Sequence, residues 1–147
     1  MFKHTIFSEA VVINKPAEHV WHTLLDAENY PLWNPFTYRV LGTIEPGQSV
    51  ELHVRLGKRE QISTETVHCV DLHETLSWGL NLGSRLLLSA RRDQKLEVLS
   101  PERCSYQTWD AFSGLLTPLV IAVHGKNMLN GFNLMAQALK TYCETND

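Results

Sequence analysis

The sequence predicts an α+β domain in which a seven-stranded, curved antiparallel sheet and two short helices wrap around a long C-terminal helix. Three observations carry this expectation. Rows of alternating apolar and polar residues fill the middle of the chain. A helical pattern runs without a break from Pro118 to Cys143. Near the N-terminus a short amphipathic helix is closed off by an aromatic turn, NYPLWNPF, from Asn29 to Phe36. A long amphipathic helix needs a surface on which to bury its stripe, and a curved sheet provides one.

Taken in order, residues 5–13 read as a strand ending in the β-branched run Val11, Val12, Ile13. Pro16 suits the first turn of a helix and Glu18 its positive end. Ala17, Val20, Trp21, Leu24 and Leu25 then form one stripe at i, i+3, i+4, i+7 and i+8, opposite Glu18, His19, His22 and Asp26. Pro35 disfavours helical geometry at Asn34, so the chain must leave the helix through a compact turn carrying Tyr30, Leu32, Trp33 and Phe36. Trp33 and Phe36 are expected in the core, with Tyr30 and Leu32 as candidates for the lip of a cavity.

Six further strands are expected over residues 37–44, 49–56, 63–72, 74–80, 90–99 and 103–112. Glu45 to Gln48 fits a type II turn, with Pro46 and Gly47 at its centre. Residues 57–59 and 100–102 are hairpin connections. The alternation is clearest in Val50, Leu52, Val54 and Leu56, in Leu76, Trp78 and Leu80, and in Cys104, Tyr106, Thr108, Asp110 and Phe112. Short strands joined in this way make an antiparallel meander. In the final helix, Ile121, Gly125, Met128, Phe132, Met135, Leu139 and Tyr142 recur at spacings of four and three, giving about 25 residues and about 38 Å of helix.

The totals are those of an ordinary soluble protein. The chain has 147 residues, 44% of them apolar and 20% charged, enough for one domain over residues 1–147 with a real core. A net charge of −3 speaks against a nucleic-acid or anionic-membrane footprint. Arg85, Arg91, Arg92 and Lys95 make a local basic patch, read as a solvated face. Cys69, Cys104 and Cys143 have neither metal-site nor redox-motif spacing and read as reduced thiols. No apolar run reaches the roughly 20 residues that span a bilayer, and the N-terminus lacks the long apolar region of a signal peptide. The expectation is a cytoplasmic protein without an integral membrane segment, monomeric or homodimeric.

At this point the chain resembles the START and birch-pollen-allergen superfamily (SRPBCC), and within it the polyketide cyclase/dehydrase-like branch. The resemblance rests on INKPAEHVW from Ile13 to Trp21, on YPLWNPF from Tyr30 to Phe36, and on Trp78. It continues in GLLTP from Gly114 to Pro118, then Gly131-Phe132 and Ala138, Leu139, Lys140. It implies the helix-grip fold and an apolar small molecule or lipid held between sheet and long helix. Family membership of this kind implies a site and not a reaction.

The candidate ligand-facing residues on the long helix are Ile121, Met128, Phe132 and Met135, which would otherwise be plain packing. Gly125 on the same stripe either leaves room for a ligand or marks a tight contact with the sheet, and methionines can reshape around varied ligands. His124 lies beside the stripe, and Trp33, Trp78 and Tyr106 complete the candidate ligand-binding set. Tyr106 and Asp110 share strand parity with Phe112 and are the weak catalytic candidates, since a buried Asp has a raised pKa. His53 and Arg55 oppose an apolar row and should face solvent. His19, His22 and Asp26 share a helix face without the context of a metal site. No metal and no cofactor is expected.

Three functions remain open. The first is binding or carriage of a hydrophobic or aromatic small molecule or lipid in the cavity between the sheet and the C-terminal helix. The second is a cyclase or dehydratase using general acid/base residues there, which predicts that Asp110 and Tyr106 converge in one pocket. The third is a partner-binding domain that uses an exposed Tyr30–Phe36 turn.

Overall fold

The computed structural model describes residues 2–146. It opens with strands β1 (Lys3–Phe7) and β2 (Val11–Ile13) where the sequence suggests one continuous strand. Both pair with the same partner, β8 (Arg103–Ser113). Phe7 faces Trp109, yet Val11, four residues on, faces Tyr106, only three residues back. One extra residue is therefore absorbed between them. Ser8 holds the break: its amide donates to the Thr108 carbonyl, and its hydroxyl accepts from the Thr108 amide at 3.0 Å.

Helix α1 (Ala17–Leu25) buries Ala17, Val20, Trp21 and Leu24, the predicted stripe, with Pro16 just outside its first turn. A short 3-10 turn (Ala27–Asn29) leads into the single-turn helix α2 (Tyr30–Trp33). The Tyr30 hydroxyl donates to the Leu24 carbonyl at 2.6 Å, fastening α2 back onto α1. Asn34 is extended, as Pro35 requires. Its side-chain oxygen accepts from the amides of Phe36 and Thr37 and so sets the entry into β3 (Thr37–Leu41).

The remaining strands are β4 (Ser49–Leu56), β5 (Arg59–Asp71), β6 (Thr75–Leu82) and β7 (Leu88–Ser100). Among the described residues the sheet has eight antiparallel strands in the order β1-β8-β7-β6-β5-β4-β3, with β2 beside β1 on β8. It is a meander apart from β1 and β2, which bring the N-terminus to the far side of the last strand. Gly47, at φ 86°, occupies the third position of the Glu45–Gln48 turn, as a type II turn demands. Register shifts in β3, β5 and β7 mark bulges, which bend strands and add twist. Curvature of this kind lets the sheet grip a helix instead of lying flat.

Helix α3 (Thr117–Thr145) has 29 residues, and its two halves are packed differently. From Gly131 onward Phe132, Met135, Ala136, Leu139 and Cys143 are fully buried. Before Gly131 only Thr117 is buried; Ile121, Gly125 and Met128 are half-buried, and Leu119, Val123 and Leu129 are exposed. The stripe has the predicted period, but only its C-terminal half meets a filled core. Gly131 is where helix and turn come closest, since a Cβ there would overlap the Phe36 ring.

Candidate functional site

Under the looser half of α3 lies a cavity of about 550 Å³, bounded by β4 to β8, the α2–β3 junction and α3. Strand register explains how it is lined. One cross-strand row runs Asp110, Arg92, Trp78 along β8, β7 and β6, and the next runs Phe112, Ala90, Leu80. Leu52, Val54 and Leu56 extend the wall on β4, Glu65 and Ser63 on β5, and Phe36 with Thr37 close one end. Val120, His124, Met128 and Phe132 form the roof. The volume falls in the range of small-molecule sites, and most of the lining is aliphatic or aromatic.

Among the polar minority the most deeply buried charge is Arg92, which is 5% exposed. Its Nε donates to Thr108 Oγ1 at 3.0 Å, and its terminal nitrogens donate to Thr37 Oγ1 at 3.3 Å and Met135 Sδ at 2.9 Å. The guanidinium carbon lies 4.6 Å from the Phe132 ring centroid and 5.1 Å from that of Phe36. Cation–π attraction therefore stands in for part of the lost hydration. Asp110 faces the same cavity, and its Oδ1 is buried with no hydrogen-bond partner. Burial pushes its carboxyl up to about 7, with Arg92 opposing the rise and Glu65 and Asp93 adding to it. Burial also raises Glu65, which a hydrogen bond from Ser63 and the charge of Arg92 partly offset.

The structure brings Trp78, His124, Met128, Phe132 and Asp110 together on this cavity and leaves the other candidates elsewhere. Tyr106 is fully buried deeper in the core, where its hydroxyl donates to Gln94 Oε1 at 2.6 Å and burial pushes the phenol up to about 12. Tyr106 and Asp110 share a face but do not converge on the cavity. Met135 is fully buried behind Arg92. Ile121 and Gly125 line a separate groove of about 350 Å³ between α3 and β1, and a Cβ at Gly125 would touch only Ile121. Neither reading offered for Gly125 in the sequence describes its place, because it faces neither the main cavity nor a tight sheet contact.

Trp33 stacks on Tyr142 at 6.2 Å and packs edge-on to Tyr30 at 5.1 Å. It borders a shallow polar depression with His19, His22 and Asp26. In the turn itself Tyr30, Trp33 and Phe36 are buried, and Leu32 is 69% exposed. Tyr30 is thus core and not a lip of the cavity. His53 and Arg55 lie on the outer face, His53 against Glu51 and Tyr38, Arg55 over Tyr38 and beside Glu60.

Arg92 is the residue that sequence reasoning missed. It sits in a charged run, and the run reads as a solvated face. Its parity gives it away: Ala90, Arg92, Gln94 and Leu96 point inward, and Arg91, Lys95 and Glu97 point outward. Asp93 belongs to the outer set, holding Ser77, Arg91 and the Trp109 indole.

Known proteins share this fold. A family profile described as "Polyketide cyclase / dehydrase and lipid transport" matches residues 4–140. Norcoclaurine synthase from Thalictrum flavum, solved with dopamine and hydroxybenzaldehyde, superposes with a TM-score of 0.74 at 13% identity, covering 99% of this chain and 89% of that one. A START superfamily protein from Mycobacterium smegmatis gives 0.72 at 18% identity over 97% and 98% of the two chains. The ZhuI aromatase/cyclase from Streptomyces sp. R1128 gives 0.65 at 18% identity over 93% and 94%. At these identities the likeness carries the helix-grip fold alone. No curated protein matches the chain in sequence.

Proposed function

The chain belongs to the polyketide cyclase/dehydrase and lipid transport family, and from that premise we propose that it binds or carries a hydrophobic or aromatic small molecule. The carrying observation is the cavity of about 550 Å³ under α3, apolar over most of its lining and roofed by the half of the helix that packs least. An apolar body placed there would cover Trp78, Leu80, Met128 and Phe112. Gly125 and Ile121 contribute nothing to the site.

The reading takes residues 1–147 as one domain acting in the cytoplasm, as a monomer or homodimer. Three free thiols are in keeping with that location. Among the described residues no helix is long and apolar enough to cross a membrane. The test is a thermal-shift and native mass-spectrometry screen with lipids, quinones and fused-ring aromatics. A ligand that raises Tm and is retained one-to-one supports the reading; no shift and no adduct across all three classes refutes it.

A second reading has one specific observation behind it. Asp110 presents to the cavity a carboxyl held near neutrality, the range in which a group can both give and take a proton. A cyclase or dehydratase would use Asp110 against an enolisable carbonyl, without Tyr106 as its partner. Turnover abolished by Asp110→Asn, with ligand affinity kept, would favour catalysis over carriage.

A further inference from the structure

The cavity holds a buried cation without an anionic partner, and beside it a buried carboxyl oxygen with no partner at all. Arg92 is buried, and among the described residues no carboxylate lies within ion-pairing distance of its guanidinium. Its hydrogen-bond acceptors are two hydroxyls and a thioether, with the Tyr106 hydroxyl also within its reach, and none of them carries a negative charge. Asp110, its direct cross-strand neighbour on β8, has a buried Oδ1 with no partner. Side chains so paired stand about 4.5–5.5 Å apart at Cβ. A buried cation is costly unless an anion meets it. The neighbouring carboxyl, whose ionised form burial disfavours, offers a donor rather than a second acceptor.

We propose that the cavity takes an amphipathic carboxylic acid, acyl or aryl, whose carboxylate is held between the Arg92 guanidinium and the Asp110 carboxyl, its apolar body lying against Trp78 and Leu80. This rests on the reading of the cavity as an apolar ligand site and names the end of the ligand that the site recognises. Charged and titratable groups surround Asp110 on several elements: Arg92 on β7, Glu65 on β5 and His124 on α3 across the cavity share its side of the sheet, and Asp93 acts from the outer side of β7. Arg92 is the fixed positive charge among them. A ligand carboxylate brought beside Asp110 repels its ionised form and draws a proton onto it, so loading is coupled to proton uptake.

Calorimetric titration of the full chain with decanoate and 2-naphthoate, and with decanol and 2-naphthylmethanol, tests this at pH 6, 7 and 8 in buffers of different ionisation enthalpy. With Asp110 titrating at about 7, its protonated fraction falls from about nine-tenths to about one-tenth between pH 6 and 8, so the acids should bind about tenfold more tightly at pH 6, with net proton uptake. The alcohols should show no such trend. Whichever acid binds more tightly separates the acyl from the aryl source. Asp110→Asn should keep acid binding at pH 8 and lose its pH dependence. Arg92→Met should lose the preference for acid over alcohol, and the Asp110 variant carries the test if Arg92→Met does not fold.

Acids and alcohols binding alike and flat with pH would overturn the proposal and leave the cavity reading standing. A pH dependence that survives in Asp110→Asn would overturn the role of Asp110. If no probe of either kind binds, the cavity reading falls too.

Discussion

Replacing Asp110 by Asn tests the electrostatics of the cavity without any ligand. The carboxyl moves from an ordinary 3.8 to about 7 on folding because burial disfavours its charge. The folded state then holds a proton that the unfolded chain has released, so stability from this group is greatest at low pH and is lost as pH rises from about 4 to about 7. At one pKa unit per 1.36 kcal/mol, the full shift corresponds to about 4 kcal/mol, of which somewhat more than half falls between pH 5 and 8. Part of the residue is solvated, and screening reduces this to about 2 kcal/mol. The amide cannot ionise, so the stability of Asp110→Asn relative to wild type should rise by about that amount from pH 5 to 8. Urea denaturation of both proteins across that range reads the difference directly. Parallel pH profiles would refute the argument, because they would mean that Asp110 titrates alike in the folded and unfolded chains.

Other substitutions separate core from cavity. Phe132 is 1% exposed and lies under Arg92, so Phe132→Ala should cost about 3–5 kcal/mol in chemical denaturation, whereas half-buried Met128→Ala should cost about 1 kcal/mol and act mainly on ligand affinity. Tyr106→Phe removes the donor to Gln94 and should cost about 1–2 kcal/mol, with ligand affinity unchanged because Tyr106 lies off the cavity. A changed affinity would return Tyr106 to the site. Gly131→Ala should destabilise by up to about 2 kcal/mol in thermal or urea unfolding: alanine favours the helix by about 1 kcal/mol, but its Cβ overlaps the Phe36 ring and overpacking costs about 1–3 kcal/mol.

Much of the fold is legible in short-range pattern. The stripe of α1, the type II turn at Pro46-Gly47 and the extended Asn34 before Pro35 all follow from local chemistry, and the structure keeps each of them. The break between β1 and β2 is not legible in this way. Ser8 replaces a ladder contact through Thr108, a partner 100 residues away. The site divides along the same line. Trp78, Met128 and Phe132 follow from periodicity. Which half of α3 covers a filled core and which covers space depends on sheet curvature, set by bulges that no helical period records. Arg92 is hidden because the groups that make its burial tolerable, Thr37, Met135 and two phenylalanine rings, come from distant parts of the chain.

Filling the cavity tests most directly whether the space under α3 is the ligand site. Ala90 stands between Leu80 and Phe112 on the concave face, and Ala90→Phe would place a ring in the empty volume without removing any existing contact. The best ligand from the screen should then be titrated into both proteins by native mass spectrometry. One-to-one binding to wild type and at least a tenfold loss in Ala90→Phe are expected, with Tm equal or higher. Equal binding by a folded Ala90→Phe protein would place the ligand elsewhere and contradict a ligand site under α3.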